Sequence, residues 1–246
     1  MKLCVWSGPR NLSTAMMYAF GAGAGWPAVD EPFYAAWLKA TGTDHPMQDA
    51  VLAGETDPGS VARKLAADGP GWRYQKHMVH HLLPGFPTDW MRGAAHVLLI
   101  RHPARVAASY AAKREAPTAA DLGFEDTTRV DSLIAEVTGA APVVVDAARV
   151  RENPEGQLRA LCAAVGAPFD PGMLRWAAGP KPFDGPWAPH WYAAVHRSTG
   201  FGGPEGPPPQ LGPALQRLAD GALPPYEALR ARALQTGARV TWSRAT

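Results

Sequence analysis

Residues 3–20 read LCVWSGPRNLSTAMMYAF, and this stretch decides the fold class. The apolar run at residues 3–6 stops at a Ser-Gly-Pro turn signal, which predicts a short buried strand. From Ser13 to Phe20 the chain is rich in helix-forming residues and contains no helix breaker. A strand, a tight loop and a helix in this order are typical of the start of a parallel α/β unit.

The same alternation continues along the chain. Further strands are predicted at residues 28–29, 72–75, 95–100 and 142–145, and helices at residues 34–40, 60–67, 104–114, 154–165 and 226–234. These elements predict an α/β fold of three layers, with a central, mainly parallel sheet and helices on both faces. In such sheets ligands bind beyond the carboxyl ends of the strands, and the stretches that begin at Ser7, Asp30 and Arg101 each follow a predicted strand.

Length and composition set the class of protein. The 246 residues predict a single domain over residues 1–246, and 46% hydrophobic residues are ordinary for a globular core. A net charge of +2 does not suggest a nucleic-acid partner. Two distant cysteines in apolar runs suit a reducing compartment. We expect no membrane partner and a cytoplasmic location, because neither a signal peptide nor about 18 consecutive apolar residues is present.

The loop after the first strand predicts an anion site. Backbone N–H groups and the positive end of the following helix converge there, and Arg10, Ser13 and Thr14 add donors. The alternative is a plain helix cap with a surface arginine. The loop is not that of nucleoside triphosphatases, since its lysine is missing and Leu12 stands where a glycine is expected.

A family resemblance rests on two segments. Residues 9–14 resemble the loop with which sulfotransferases bind the 5′-phosphosulfate of 3′-phosphoadenosine-5′-phosphosulfate, and Arg101-His102-Pro103 with Ser109 resembles their second signature, which binds the 3′-phosphate. The resemblance covers roughly residues 3–175, because residues 143–168 also look like the strand and helix that follow the second signature. It implies a P-loop-type domain whose donor-binding residues are Pro9, Arg10, Asn11, Leu12, Ser13, Thr14, Arg101 and Ser109.

The resemblance also has consequences for the cofactor. The donor would leave as 3′,5′-adenosine bisphosphate, with no metal required, since a sulfuryl group carries less charge than the phosphates that a metal offsets. Asn11 and Leu12 depart from the family pattern. These departures are consistent with a divergent subgroup or with a relative that has lost transfer activity.

Two residues are candidates for the base that takes the acceptor's proton. Glu31 follows the second predicted strand, a place that resembles the site of the catalytic glutamate in several sulfotransferases. The alternative is a structural carboxylate or a salt-bridge partner for Arg10. The pair Lys76-His77 is similar to the Lys-x-His segment that supplies the base of cytosolic sulfotransferases, and an imidazole is suited to proton transfer at neutral pH. With Arg10, Glu31 and His77 are the predicted catalytic residues.

A histidine cluster and an aromatic group are further candidate sites. His77, His80 and His81 lack the glutamate of a zinc-binding H-E-x-x-H motif, so packing is expected and no metal site is predicted. Phe33, Tyr34 and Trp37, with Trp187, Trp191 and Tyr192, favour a small acceptor that is partly aromatic or apolar, although core packing also accounts for them.

Residues 179–213 contain nine prolines and seven glycines, which predicts a long loop. Two interpretations stay open, a lid over the site and a solvated linker. As a lid, the loop resembles the sulfotransferase segment that covers the donor, and Arg197 would bind a donor phosphate. The leading hypothesis is therefore a sulfotransferase. A nucleotide-dependent kinase and a non-catalytic nucleotide-binding module are the alternatives.

Overall fold

A computed structural model describes residues 1–112 and 117–236, and its centre is a sheet of five parallel strands. The strands lie side by side in the order β2-β3-β1-β4-β5. Their bounds are Lys2–Ser7 (β1), Ala28–Asp30 (β2), Arg73–Met78 (β3), Ala95–Ile100 (β4) and Val143–Asp146 (β5). The prediction of an α/β fold around a parallel sheet is confirmed.

Helices lie between the strands and after the last strand. Their bounds are Ser13–Tyr18 (α1), Tyr34–Thr41 (α2), Gln48–Leu52 (α3), Pro58–Ala66 (α4), Pro103–Ala111 (α5), Ala119–Leu122 (α6), Phe124–Thr138 (α7), Ala147–Glu152 (α8), Pro154–Val165 (α9), Ala188–Trp191 (α10), Ala193–His196 (α11) and Pro213–Ala231 (α12). Helix α1 continues as a π-helical turn at Ala19–Gly23, and β3 runs into a 3₁₀ turn at Val79–His81.

The sheet separates two hydrophobic cores. Along β1, Leu3 and Val5 face one core and Cys4 and Trp6 face the other, because successive side chains of a strand point to opposite faces. Helices α1, α2 and α9 cover the first face, and helices α4, α5, α7 and α12 cover the second. All of these β1 side chains are fully buried, as expected for a strand in the middle of a three-layer domain.

Several elements differ from the sequence prediction, which did not include helices α3, α6, α7 and α8. Strand β3 extends three residues beyond the predicted end because Lys76 pairs with both Val5 of β1 and Asp30 of β2. Helix α12 begins at Pro213 and continues through Pro224 and Pro225, so it is much longer than predicted. The proline- and glycine-rich stretch contains the short helices α10 and α11. Residues 113–116 and 237–246 of the predicted domain, and so the end of the helix predicted at 104–114, lie outside the described residues.

Within the described ranges, no helix has both the length and the apolar character needed to cross a bilayer.

Candidate active site

A cleft of about 640 Å³ opens at the carboxyl ends of the central strands. It brings together residues that lie far apart in the chain. They include the whole loop Pro9, Arg10, Asn11, Leu12, Ser13 and Thr14, together with Glu31, Arg101, Ser109, Arg151 and Tyr192. Most of the residues predicted from the sequence therefore line one cavity.

Two left-handed residues shape the loop between β1 and α1. Arg10 has φ 63° and Leu12 has φ 70°, a region that glycine adopts without a steric penalty and other residues rarely adopt. The Asn11 side chain anchors this turn, since its Nδ2 donates to the carbonyl oxygen of Leu99 at 3.2 Å. Leu12 thus takes up the backbone conformation for which a glycine is expected in this loop.

The loop meets the residues that follow β4. Arg10 Nε donates to Ser109 Oγ at 2.9 Å, and Arg101 donates through a terminal nitrogen to the carbonyl oxygen of Arg10 at 2.8 Å. Burial, and secondarily the charge of Arg101, lowers the pKa of Arg10. Both motif arginines are therefore part of one cationic wall of the cleft.

A carboxylate from the proline- and glycine-rich stretch covers this wall. Glu205 accepts from Arg101 at two positions and pairs with Arg105 and Arg151, each at 3.1 Å. Its side chain is only 4% exposed. The three arginines hold the pKa of Glu205 below its usual range although burial alone would raise it. The sequence prediction missed Glu205, Arg105 and Arg151.

Glu31 lies on the opposite side of the cleft in a buried ionic network. The ammonium of Lys76 contacts Glu31 Oε1 and lies 2.9 Å from Asp30 Oδ1. Tyr192 donates its hydroxyl proton to Asp30 at 2.8 Å and accepts from Lys76 at 2.7 Å. Burial alone would lower the pKa of Lys76, but the two carboxylates outweigh it and raise that pKa.

This network decides whether Glu31 is the salt-bridge partner of Arg10. The salt-bridge partner of Glu31 is Lys76, and the partner predicted as an alternative, Arg10, instead contacts Ser109. Glu31 has φ 41°, a strained backbone conformation of the kind that persists where the surroundings fix it. The side chain is 9% exposed and reaches the cleft.

His81 is a cleft residue that the sequence analysis treated only as part of a histidine cluster. Its ring stacks on Tyr34 with centroids 4.4 Å apart, and its Nδ1 lies 3.7 Å from Glu31 Oε2. Within the described residues this nitrogen is buried without a hydrogen-bond partner. Burial lowers the pKa of His81 well below its usual value, so the ring is neutral at physiological pH.

His77 does not line the cleft. It lies in β3, next to Lys76, and its side chain therefore points to the opposite face of the sheet. There it stacks on Trp6 at 4.3 Å and on Trp90 at 5.2 Å, and burial lowers its pKa well below the usual value. The hypothesis of His77 as the base does not fit this position.

Arg197 also lies away from the cleft. It is exposed at the end of α11, and the neighbouring Ser198 and Gly200 line the cavity in its place.

Of the predicted aromatic group, Tyr34, Trp37, Trp191 and Tyr192 line the cleft, while Phe33 and Trp187 pack beneath it. In the parts of the chain that the structure describes, no cluster of His, Cys, Asp or Glu has metal-binding geometry.

Comparisons with known proteins point to one family. A family model described as a sulfotransferase domain matches residues 1–233. Two proteins of Arabidopsis thaliana, named branched-chain-amino-acid aminotransferase-like proteins 1 and 2, are 40% and 37% identical over 228 residues. The match covers 92% of this chain but 41% and 40% of theirs, so the chain spans about two fifths of the length of these relatives.

Two solved structures are similar over most of their length. The sulfotransferase domain of the Synechococcus PCC 7002 olefin synthase is 17% identical with a TM-score of 0.49, covering 90% of this chain and 94% of its own. A sulfotransferase domain from the curacin biosynthetic pathway is 13% identical with a TM-score of 0.46, covering 89% and 96%.

Proposed function

Since the chain belongs to the sulfotransferase domain family, we propose that it transfers a sulfuryl group from 3′-phosphoadenosine-5′-phosphosulfate to a small acceptor. The hydrogen bond from Arg10 to Ser109 carries this proposal. It joins the two segments that the family resemblance assigns to opposite ends of the same donor, and both segments line one cleft.

The donor end is cationic. Arg10 and the hydroxyls of Ser13 and Thr14 bind the 5′-phosphosulfate, while Arg101 and Ser109 bind the 3′-phosphate. Donors fixed in this way stabilise the charge that develops on the bridging oxygen during transfer, which is usually the largest part of catalysis. These groups supply the positive charge, so we propose that transfer needs no metal.

The acceptor end contains Glu31. Its Oε1 is held by Lys76, and its Oε2 is directed toward His81. We assign Glu31 as the group that receives the proton of the acceptor's hydroxyl or amine. Tyr34, Trp37 and Trp191 form an aromatic wall beside it, which favours an acceptor that is partly aromatic or apolar.

Calorimetry with 3′,5′-adenosine bisphosphate, ATP and AMP tests the donor class. We expect binding of the bisphosphate at least about tenfold tighter than binding of ATP or AMP, the factor that 1.4 kcal/mol provides. Incubation with the phosphosulfate and 2-naphthol, with and without EDTA, then tests transfer by mass spectrometry. A preference for ATP would contradict the proposal and favour a kinase. Formation of sulfated product that EDTA abolishes would contradict transfer without a metal.

A further inference from the structure

Glu205 occupies the arginines that the proposed function assigns to a donor phosphate. The two edge nitrogens of the Arg101 guanidinium, Nε and one terminal nitrogen, both donate to this carboxylate. That edge is the bidentate face with which arginine matches a carboxylate or a phosphate. The remaining terminal nitrogen donates to the carbonyl oxygen of Arg10. Each of the three guanidinium nitrogens of Arg101 therefore donates within the protein, and the Nε edge is not available to a phosphate while Glu205 is in place.

The positive charge around Glu205 also indicates a site that can bind more negative charge than one carboxylate carries. Three guanidinium groups, those of Arg101, Arg105 and Arg151, surround one carboxylate that is almost completely buried. A phosphomonoester carries up to two negative charges and three acceptor oxygens, so it satisfies such a group better than a carboxylate does. Arg101 and Arg151 both line the cleft, so a ligand there can reach them.

The segment that carries Glu205 is held down by the same arginines. Arg151 Nε donates to the carbonyl oxygen of Gly203 at 3.0 Å, and Arg105 donates to that of Pro207 at 2.7 Å. Gly202 and Gly206 adopt positive φ on either side of Glu205. Besides Glu205, residues 203–207 are glycine or proline, and Glu205 is their only side chain that forms an ion pair with the cleft arginines.

We propose that Glu205 is an internal stand-in for the 3′-phosphate, and that Arg101 and Arg151 exchange its carboxylate for that phosphate when the donor binds. Arg151 thereby becomes a donor-binding residue, and residues 203–207 become a strap that the donor displaces. This inference rests on the proposed function for the identity of the ligand. Its consequence is that the apparent affinity for the donor is lowered by the fraction of molecules in which the strap is closed.

The test compares ligands that differ by one phosphate. Glu205→Gln keeps the shape of the side chain and removes its charge, so we expect 3′,5′-adenosine bisphosphate to bind about five- to tenfold tighter than to the wild type. AMP, which lacks the 3′-phosphate, should bind the two proteins equally. Arg151→Ala should weaken the bisphosphate and leave AMP unchanged. Isothermal titration calorimetry measures all of these affinities.

Glu155→Gln is the matched control, because Glu155 also pairs with an arginine, Arg159, but on the exposed side of α9. It should leave both affinities unchanged. Thermal unfolding of each variant verifies that it is folded. If Glu205→Gln is not folded, Glu205→Ala provides a second variant.

Unchanged or weaker binding of the bisphosphate to a folded Glu205 variant overturns the inference, since Glu205 would then only position Arg101. Equal strengthening of AMP binding also overturns it, because a general change in charge would explain both. A different result contradicts the proposed function alone. In that case the wild-type protein forms no sulfated product, although substitution of Glu205 changes the bisphosphate affinity as expected. If no variant binds the bisphosphate, both ideas fail.

Discussion

Arg10 Nε donates a hydrogen bond of 2.9 Å to Ser109 Oγ, although 99 residues separate the two in the chain. The contact joins the loop after β1 to helix α5, which follows β4, and these two strands are neighbours in the sheet. The position of the Arg10 side chain is thus fixed from outside the loop. A change at either residue should alter the cleft without altering the sheet.

The first prediction concerns Arg10. Arg10→Ala removes a fixed donor at the site of developing charge, so we expect transfer from the phosphosulfate to 2-naphthol to fall about 10²- to 10³-fold. The measurement is the initial rate of naphthyl sulfate formation. Arg63→Ala serves as the control because Arg63 is highly exposed and pairs only at 3.6 Å with Asp57. Turnover near the wild-type rate in the Arg10 variant would remove this residue from the mechanism.

The second prediction concerns the left-handed residue Leu12. A non-glycine residue in this conformation costs about 1–2 kcal/mol. Leu12→Gly and Leu12→Ala both remove the leucine side chain, but only glycine relieves the backbone. We therefore expect the glycine variant to be more stable than the alanine variant by about 1 kcal/mol in urea unfolding.

Ala62→Gly within α4 is the matched comparison for Leu12. Glycine in a regular helix is less favourable than alanine by about 1 kcal/mol, so the order of stability should be reversed there. The same order at both positions would show that the backbone of Leu12 is not strained.

The third prediction concerns the buried ammonium of Lys76. Lys76→Met leaves Asp30 and Glu31 without their cation, and breaking a buried ion pair in this way costs about 3–5 kcal/mol. Adding Asp30→Asn removes one of the two uncompensated charges and should recover part of the loss. Lys64→Met, at an exposed lysine that pairs with Glu55, should cost less than about 1 kcal/mol. Denaturant unfolding of the three variants and the wild type measures these differences, and a Lys76 variant as stable as the wild type contradicts the network.

The fourth prediction is a loss of stability in mild acid. Burial lowers the pKa of His77, His81 and His96, and it lowers the pKa of His80 to about 4. The unfolded chain binds protons on these rings below its ordinary histidine pKa, while the folded chain does not. The free energy of unfolding therefore falls as the pH drops below about 6.5, by up to about 1.4 kcal/mol per pH unit for each histidine.

His77→Gln isolates one of these groups. The variant should lose stability overall because the stacking on Trp6 is altered, but its stability should depend less steeply on pH. Urea unfolding at pH 7, 6 and 5 measures both quantities. An unchanged slope would mean that His77 is protonated in the folded protein.

Local patterns were sufficient to predict the architecture. The strand that ends at Ser7 and the strand that ends at Ile100 are short apolar runs that stop at turn signals, and the loop residues after them follow from chain order alone. The site at the ends of the strands could therefore be predicted as far as Arg10, Arg101 and Ser109.

The rest of the site depends on partners that are distant in sequence. Lys76 contacts Asp30 across 46 residues and Tyr192 across 116, and Arg101 contacts Glu205 across 104. A run of proline and glycine predicts a loop but not where the loop lies. One sequence feature indicates that His81 lies near the cleft. The pair His80-His81 follows directly after a strand whose last part contains polar residues, and the cleft lies at the carboxyl ends of the strands.

Lys76 and His77 are adjacent in β3 and point to opposite faces of the sheet. This alternation constrains the register in which β3 pairs with its neighbours. A pairing shifted by one residue would turn the Lys76 ammonium toward the rings of Trp6 and Trp90 and expose the imidazole of His77 to the cleft. An ammonium without a counter-charge in an aromatic core costs several kcal/mol. The shifted register is therefore less stable than the native one, so the lysine that contacts Glu31 also favours the native alignment of β3 with β1 and β2.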